Sequence, residues 1–591
     1  MFDTVIRGGS VIDGTGAPAR TADVAIRGDR IVEVGKVQET GRREVDAAGL
    51  LVTPGFVDIH THFDGQATWD NILAPSSWHG VTTLAMGNCG VGFAPARPEH
   101  RSLLISLLEG VEDIPGSALS EGLQWDWESF PEYLDALGRL RWTVDVGAHL
   151  PHAPLRVYAM GERGADPDER PSEAELDTLG ALIREAIAAG ALGFSTSRTR
   201  AHRTVEGDPI GTIRADELEL DAIASALNQG GRGVIELVSD AVQTGDDVVA
   251  KAELGVIERL ARRSGRPLSL LLLQSMEAPD RWRQALTWID GMVSDGVPVK
   301  GQVALRPIGV LLGLELSLSP FLPCPSFSEL QHLPLPELVR ALRSPGRKDQ
   351  ILREHASFTS AGGQGPGMDL LRRQISTHPH FKRRMTMFDN MYILSDPVNY
   401  ELDANDSIGA RAEREGIDPA SLVYDLLTAK DGKQLLYFPS ANFANGNLYD
   451  LRDMIQGPNV IFGLSDAGAH CTAISDASAT TSSLTTWVRD RNDGTAVPLE
   501  WLVHGHTQRN AAYMGWTDRG VLAGGYLADV NVIDFEQLGC RHPVLARDLP
   551  AGGGRLVQGA TGYKATFKSG RLTFSDGEHT GELPGHLLRG T

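Results

Sequence analysis

The sequence predicts a (β/α)8 TIM-like barrel, with a small β-sandwich built from both chain ends and a subdomain inserted between barrel strands 7 and 8. Three observations carry this expectation. Eight apolar strand patterns follow one another through the middle of the chain, helical patterns separate several of them, and both ends read as short β-hairpins. The strand candidates are residues 56–60, 81–86, 143–147, 191–195, 233–238, 268–273, 297–303 and 459–464. Several are continuous apolar runs, as strands buried on both faces of a parallel barrel require. Residues 173–190 and 215–229 have small and apolar residues at helical spacing, the first ending in glycine. In such a barrel the chemistry sits at the C-terminal strand ends.

At the N-terminus, β-branched runs within residues 4–35 are separated by Gly8-Gly9, Asp13-Gly14 and Gly28-Asp29 turns. Residues 525–534 form one strand pattern, and 563–567 with 571–574 form a hairpin pattern. The expected organisation is a sandwich from residues 1–54 and 521–591 around a barrel at 55–520. About 155 residues lie between the last two strand candidates, far more than a helix and loop need. Residues 305–457 are therefore read as an inserted subdomain covering the barrel mouth. It has proline-rich stretches at 320–325 and 334–336, a glycine-rich turn at 362–367 and a helical pattern at 417–427.

Composition narrows the function classes. The 591-residue chain carries a formal charge of −21, which argues against nucleic acid because phosphate neutralisation needs clustered Lys and Arg. The longest apolar run, 268–273, is too short to span a bilayer, and the first residues show no secretory leader pattern. Four cysteines far apart, with no CxxC pair, fit a reducing compartment. The expectation is a cytoplasmic enzyme with a small-molecule substrate and no membrane partner. The assembly state, a homo-oligomer included, stays open.

The strongest local signal is Thr53-Pro54-Gly55-Phe56-Val57-Asp58-Ile59-His60-Thr61-His62. A glycine turn feeds an apolar strand ending in His-x-His, and alternate side chains of a strand share a face. His60 and His62 therefore aim together at the barrel mouth, a good start for a borderline metal such as zinc.

Here the chain resembles the amidohydrolase superfamily, in its N-acyl-D-amino-acid deacylase (D-aminoacylase) branch. The resemblance rests on Ile6-Arg7-Gly8-Gly9, the Pro54-Gly55-Phe56-Val57-Asp58 strand and Gly80-Val81-Thr82-Thr83 leading to Gly87-Asn88-Cys89-Gly90. It continues through Gly190-Ala191-Leu192-Gly193-Phe194-Ser195-Thr196, Gly463-Leu464-Ser465-Asp466 and Arg509-Asn510-Ala511-Ala512. It implies that the Cys89 thiolate is a metal ligand with His60, His62 and Asp466. It further implies that Asp466 serves as general acid/base, taking a proton from the attacking water and handing it to the leaving nitrogen.

The sequence also departs from the branch. The histidines expected at the ends of strands 5 and 6 are absent; Glu236 and Gln274 are the nearest polar residues, and His149 offers another donor. One divalent metal position, best suited to Zn2+, is expected, with a second unproven. Arg198, Arg200, His152, His202, Arg306 and His470 are the substrate-binding candidates. Arg200 falls about where the branch often has a tyrosine, and Ala467-Gly468-Ala469-His470-Cys471 replaces its usual His-Pro-Arg. The expected reaction is hydrolysis of a C–N amide bond, most simply of an N-acyl amino acid. Alternatives are a cyclic amide, a carbamate or a secondary-metabolite amide, or a non-catalytic barrel that has lost its metal.

Overall fold

The structure, a computed structural model, describes residues 1–360, 387–491 and 494–590. The glycine-rich stretch 362–367 lies outside the described residues. The chain ends combine in one nine-stranded sheet. Leu51–Pro54 pairs parallel with Phe2–Val11 on one side and antiparallel with Val530–Ile533 on the other, so the two ends of the chain meet at this strand. Ile6, Val24, Val52, Val530, Val532 and Phe567 form its apolar core.

Eight parallel strands occur in the predicted order: β1 Phe56–Asp58, β2 Val81–Met86, β3 Asp145–Ala148, β4 Gly193–Arg198, β5 Val234–Ser239, β6 Leu268–Leu271, β7 Val299–Val303 and β8 Val460–Phe462. β1, β2 and β3 form one parallel sheet and β4 to β8 another. The chain just after β3, Leu150–Pro151, pairs with β4 and so links the two. On the opposite side Thr61 bridges Ala467. There Asn510 ties β1 to β8, donating Nδ2 to the carbonyls of Val57 (2.9 Å) and Phe462 (2.7 Å) and accepting the Phe462 N–H.

Helices pack outside the strands: α1 Arg101–Glu112, α2 Glu173–Ala189, α3 Glu217–Gly230, α4 Asp247–Ser264 and α5 Arg281–Ser294. Ser172 and Glu175 form a capping box at the start of α2, and Gly190 closes it at φ 106°, a conformation cheap only for glycine. Asp216 and Asp246 cap α3 and α4. The strand candidates run past the observed ends of β1, β6 and β8, because the terminal residues leave the ladder to shape the mouth.

Between β7 and β8 the chain builds an antiparallel sheet of Ile308–Leu312, Leu436–Ala441 and Tyr392–Ile393. With helices that include Leu335–Leu342 and Pro419–Thr428 it encloses a separate core of Leu312, Phe321, Phe327, Leu338 and Val423.

Several strands had no counterpart in the sequence reading, and one of them adjoins β3. Leu587–Leu588 lies parallel beside β3. It is anchored through Asp145, fully buried, which takes Lys568 Nζ at 2.7 Å, Arg519 Nη1 at 2.6 Å and the His586 ring at 3.1 Å. Burial alone would raise the Asp145 pKa, but Lys568, His586 and Arg519 together hold it far below the usual carboxylate range. The hydrogen bond to Asp145 raises His586 above the ordinary imidazole value. The His586 contribution is therefore full below that ordinary value and fades as pH rises through the raised one. Amide protection of Gly585 to Arg589, corrected for intrinsic exchange, is expected to fall as pH rises above the ordinary imidazole value. A flat profile would show that the ring contact adds nothing.

Candidate metal centre and active site

His60 and His62 lie just beyond β1. The strand ladder continues there through the Thr61 N–H to the Ala85 carbonyl at 3.1 Å, so the two imidazoles keep the same facing that strand alternation demands. Ser465 Oγ, donating to the His60 carbonyl, and the His62 N–H on the Ala467 carbonyl dock the loop after β8 against this segment.

Cys89 arrives on the turn after β2. Its φ is 54°, the left-handed region that costs a residue with a Cβ roughly 1–2 kcal/mol. The flanking glycines are needed for close approach: a Cβ on Gly87 would stand 2.6 Å from the His149 carbonyl oxygen, and one on Gly90 would stand 2.9 Å from Thr196 Cα. Asn88 Nδ2 pins the turn to the carbonyls of Thr61 and Ala85. Asp466, Leu464 and His470 also have positive φ, so backbone strain gathers on the two turns that carry the chemistry.

The side chains converge. Cys89 Sγ is 3.4 Å from His60 Nε2, and the donor atoms of His60, His62 and Cys89 all lie within 4.8 Å of one another. Asp466 Oδ1 stands 3.3 Å from His60 Nε2 and 3.7 Å from His62 Nε2. His60 and His62 are essentially fully buried, while the Asp466 side chain is 19% exposed. The far nitrogen of His60 is held by Gln302 Oε1 at 2.6 Å. This leaves Nε2 facing Cys89 and Asp466, the arrangement by which outer residues orient a metal-binding imidazole.

The surrounding charge suits a divalent cation. Burial lowers His60 to about 4 and His62 to about 3, so both imidazoles are neutral and fit to ligate. Burial, with Asp466 nearby, raises Glu236 to about 8 and Glu112 well above the carboxylate range; burial and Glu236 raise the Cys89 thiol likewise. Buried acids gathered around neutral imidazoles lack a compensating positive charge, and a dication on the Cys89–imidazole donors would supply it.

The other candidates are placed as follows. Glu236 belongs to the site, accepting the Cys89 N–H at 2.8 Å, with its second oxygen 3.8 Å from His60 Nδ1. Gln274 does not belong to it. Its backbone N–H goes to Asn442, its Nε2 to Asp450, and its Oε1 accepts from Ala444, so it ties β6 to the end of the inserted subdomain. His149 is buried, which lowers its pKa to about 3, and it is not one of the three converging donors.

Among the substrate candidates, Arg198 is engaged bidentately by Glu253 at 2.8 and 2.9 Å. Arg306 pairs with Asp476 under the ring of Tyr400. His152 sits between Thr196 and Glu219, fully buried. Arg198 and His152 are thereby committed to structural pairings, as are the two terminal nitrogens of Arg306, which bond Ser478 and Asp476, while its buried Nε has no partner. Arg200 contacts Asp240 with its side chain 57% exposed. His202, which bonds Ser197 Oγ, is lowered to about 3 by burial, with His470, His62 and His60 adding to the shift. His470 Nε2 is 3.7 Å from Glu112 Oε2.

Sequence reasoning missed Glu112 and Gln302. Gln302 is a lone amide within the apolar seventh strand candidate, a readable signal. Glu112 is one carboxylate among several at the end of α1 and carried none. A pocket beside Asp466 is walled largely by small apolar residues, among them Ala74, Pro75, Ala477 and Leu556.

The model of the amidohydrolase family matches residues 43–574. The chain belongs to the amidohydrolase family. An uncharacterized protein of Mycobacterium tuberculosis is 28% identical over 495 residues, covering 79% of this amidohydrolase and 74% of the relative. The N-acyl-D-glutamate deacylase of Alcaligenes xylosoxydans xylosoxydans is 34% identical over 266 residues, 45% of this chain and 48% of that one. A D-aminoacylase structure described for its binuclear metal centre superposes with a TM-score of 0.63 at 22% identity, covering all of both chains. The amidohydrolase thus shares the D-aminoacylase fold. Its four cysteines are free, and no helix among the described residues is long and apolar enough to cross a membrane.

Proposed function

We propose that this amidohydrolase hydrolyses an N-acyl amino acid to a carboxylate and a free amine. The observation that carries the proposal is the convergence of His60 Nε2, His62 and Cys89 Sγ on one point with the Asp466 carboxylate beside them. A thiolate and two imidazoles suit zinc and would hold one ion. Such an ion supplies positive charge that acidifies the attacking water and polarises the scissile carbonyl. Asp466, partly exposed toward the mouth, takes the water's proton and returns it to the departing nitrogen. Gln302 keeps His60 facing inward, and His202 and His470, on the turns after β4 and β8, flank the space where the substrate would lie.

One observation favours a second reading. Buried Arg198 and Arg306 are spent on Glu253 and Asp476, and Asp64, Glu112 and Glu236 crowd the centre. Among the described residues the arginines near the centre are already paired, including Arg555, which lines the pocket beside Asp466 and is held by Asp548, so little unpaired positive charge is left there for a substrate carboxylate. A cyclic amide, a carbamate or another amide without a free carboxylate would fit that environment.

The test is chelation followed by reconstitution. Protein dialysed against a chelator is expected to lose turnover and to recover it with zinc, manganese or cobalt. A panel of N-acyl-D- and L-amino acids, cyclic amides and carbamates assigns the substrate. Full activity after metal removal would refute the metal role, and turnover confined to amides lacking a carboxylate would refute the N-acyl amino acid.

A further inference from the structure

We infer that Glu112 is a positioning residue for the metal centre: its carboxylate takes the far nitrogen of His62 as Gln302 takes that of His60. The inference rests on the metal-site reading above. Glu112 closes α1, far in sequence from either histidine, yet its side chain is buried with Oε1 3.5 Å from His62 Nδ1. Neither atom makes a hydrogen bond, to the other at this separation or to any other described group, and both are shielded from water. His62 Nε2 meanwhile faces Asp466. A proton on Nδ1 directed at Glu112 fixes the tautomer that leaves the Nε2 lone pair free for a metal.

The two imidazoles are thus treated alike by different means. His60 has a neutral amide behind it on β7 and His62 has a carboxylate behind it on α1. Glu112 also reaches the loop after β8: its backbone carbonyl accepts the His470 N–H, and its second oxygen lies 3.7 Å from His470 Nε2. One side chain therefore sets the orientation of a ligand from the β1 segment and touches the loop that follows Asp466. An acceptor oxygen behind an imidazole fixes its tautomer and strengthens it as a donor, which makes Glu112 a source of metal affinity in a chain without the usual histidines on β5 and β6.

The experiment measures zinc affinity by competition with a chromophoric chelator and records the visible spectrum after cobalt substitution. The proteins are the parent, Glu112→Leu, Glu112→Asp and Glu112→Gln. Glu112→Leu is expected to bind zinc about 10–100-fold more weakly, with shifted cobalt bands. Glu112→Gln, which keeps an acceptor oxygen, should recover most of the affinity and the parent bands. Glu112→Asp, which withdraws the carboxylate, reports the same loss if the leucine variant does not fold. Parent-like affinity in Glu112→Leu, or in Glu112→Asp standing in for it, would overturn the inference. So would a glutamine variant as weak as the leucine one, because the carboxylate would then be a ligand itself. A parent that binds no zinc would instead refute the metal-site reading, and that result appears before any variant is compared.

Discussion

Replacing Asp466 by asparagine is expected to lower kcat by about 10²–10⁴-fold, the range a positioned acid/base contributes, while the protein still folds and binds its metal. Asparagine keeps the shape and an oxygen beside His60 and His62, where Asp466 now lies at 3.3 and 3.7 Å. It cannot accept the proton of the attacking water. The backbone at Asp466 is left-handed, φ 45°, a conformation that asparagine tolerates as well as aspartate, so the turn should survive. Metal content by elemental analysis and a thermal midpoint near the parent's would show that only the proton transfer was removed. Rates within a few-fold of the parent would exclude Asp466 as the acid/base.

The second large effect is expected at Cys89. Cys89→Gly removes the thiol and also relieves a Cβ from φ 54°, a strain of about 1–2 kcal/mol that the greater chain entropy of glycine partly offsets. In the presence of a chelator the variant should be about as stable as the parent. Added zinc should then separate them. A ligand at a thousand times its Kd stabilises by about 4 kcal/mol, so the parent's midpoint should rise steeply while the variant's stays in place. If both gain equally, the thiol is not a ligand. If the variant unfolds without zinc, the strained turn serves packing instead.

Much of this centre could be read from residues close in sequence. His60 and His62 belong to one strand-like segment, and the period of two puts them on one face whatever else the chain does. Cys89 gained meaning only through the family resemblance, since glycines around a cysteine fit many turns. The arginines show where such reading stops. Arg198 finds Glu253 55 residues away and Arg306 finds Asp476 170 away, and no local pattern announces either pairing. Glu112 was hidden for the same reason: a helix end rich in acids looks solvated until the fold turns it inward. The barrel order was legible because apolar runs and glycine turns are local, while Leu587–Leu588 beside β3 was not, because that pair is too short to stand out.

The nine-stranded sheet has a bearing on how the protein is made. Leu51–Pro54 lies between a strand of the first eleven residues and one that begins at Val530. During synthesis that flank stays open until more than five hundred residues have left the ribosome. For most of translation the early strands present an unpaired edge, with the apolar barrel strands emerging beside it. An edge left open in this way is a template for mispairing, and the slower the chain elongates the longer the exposure lasts before the late segments close it.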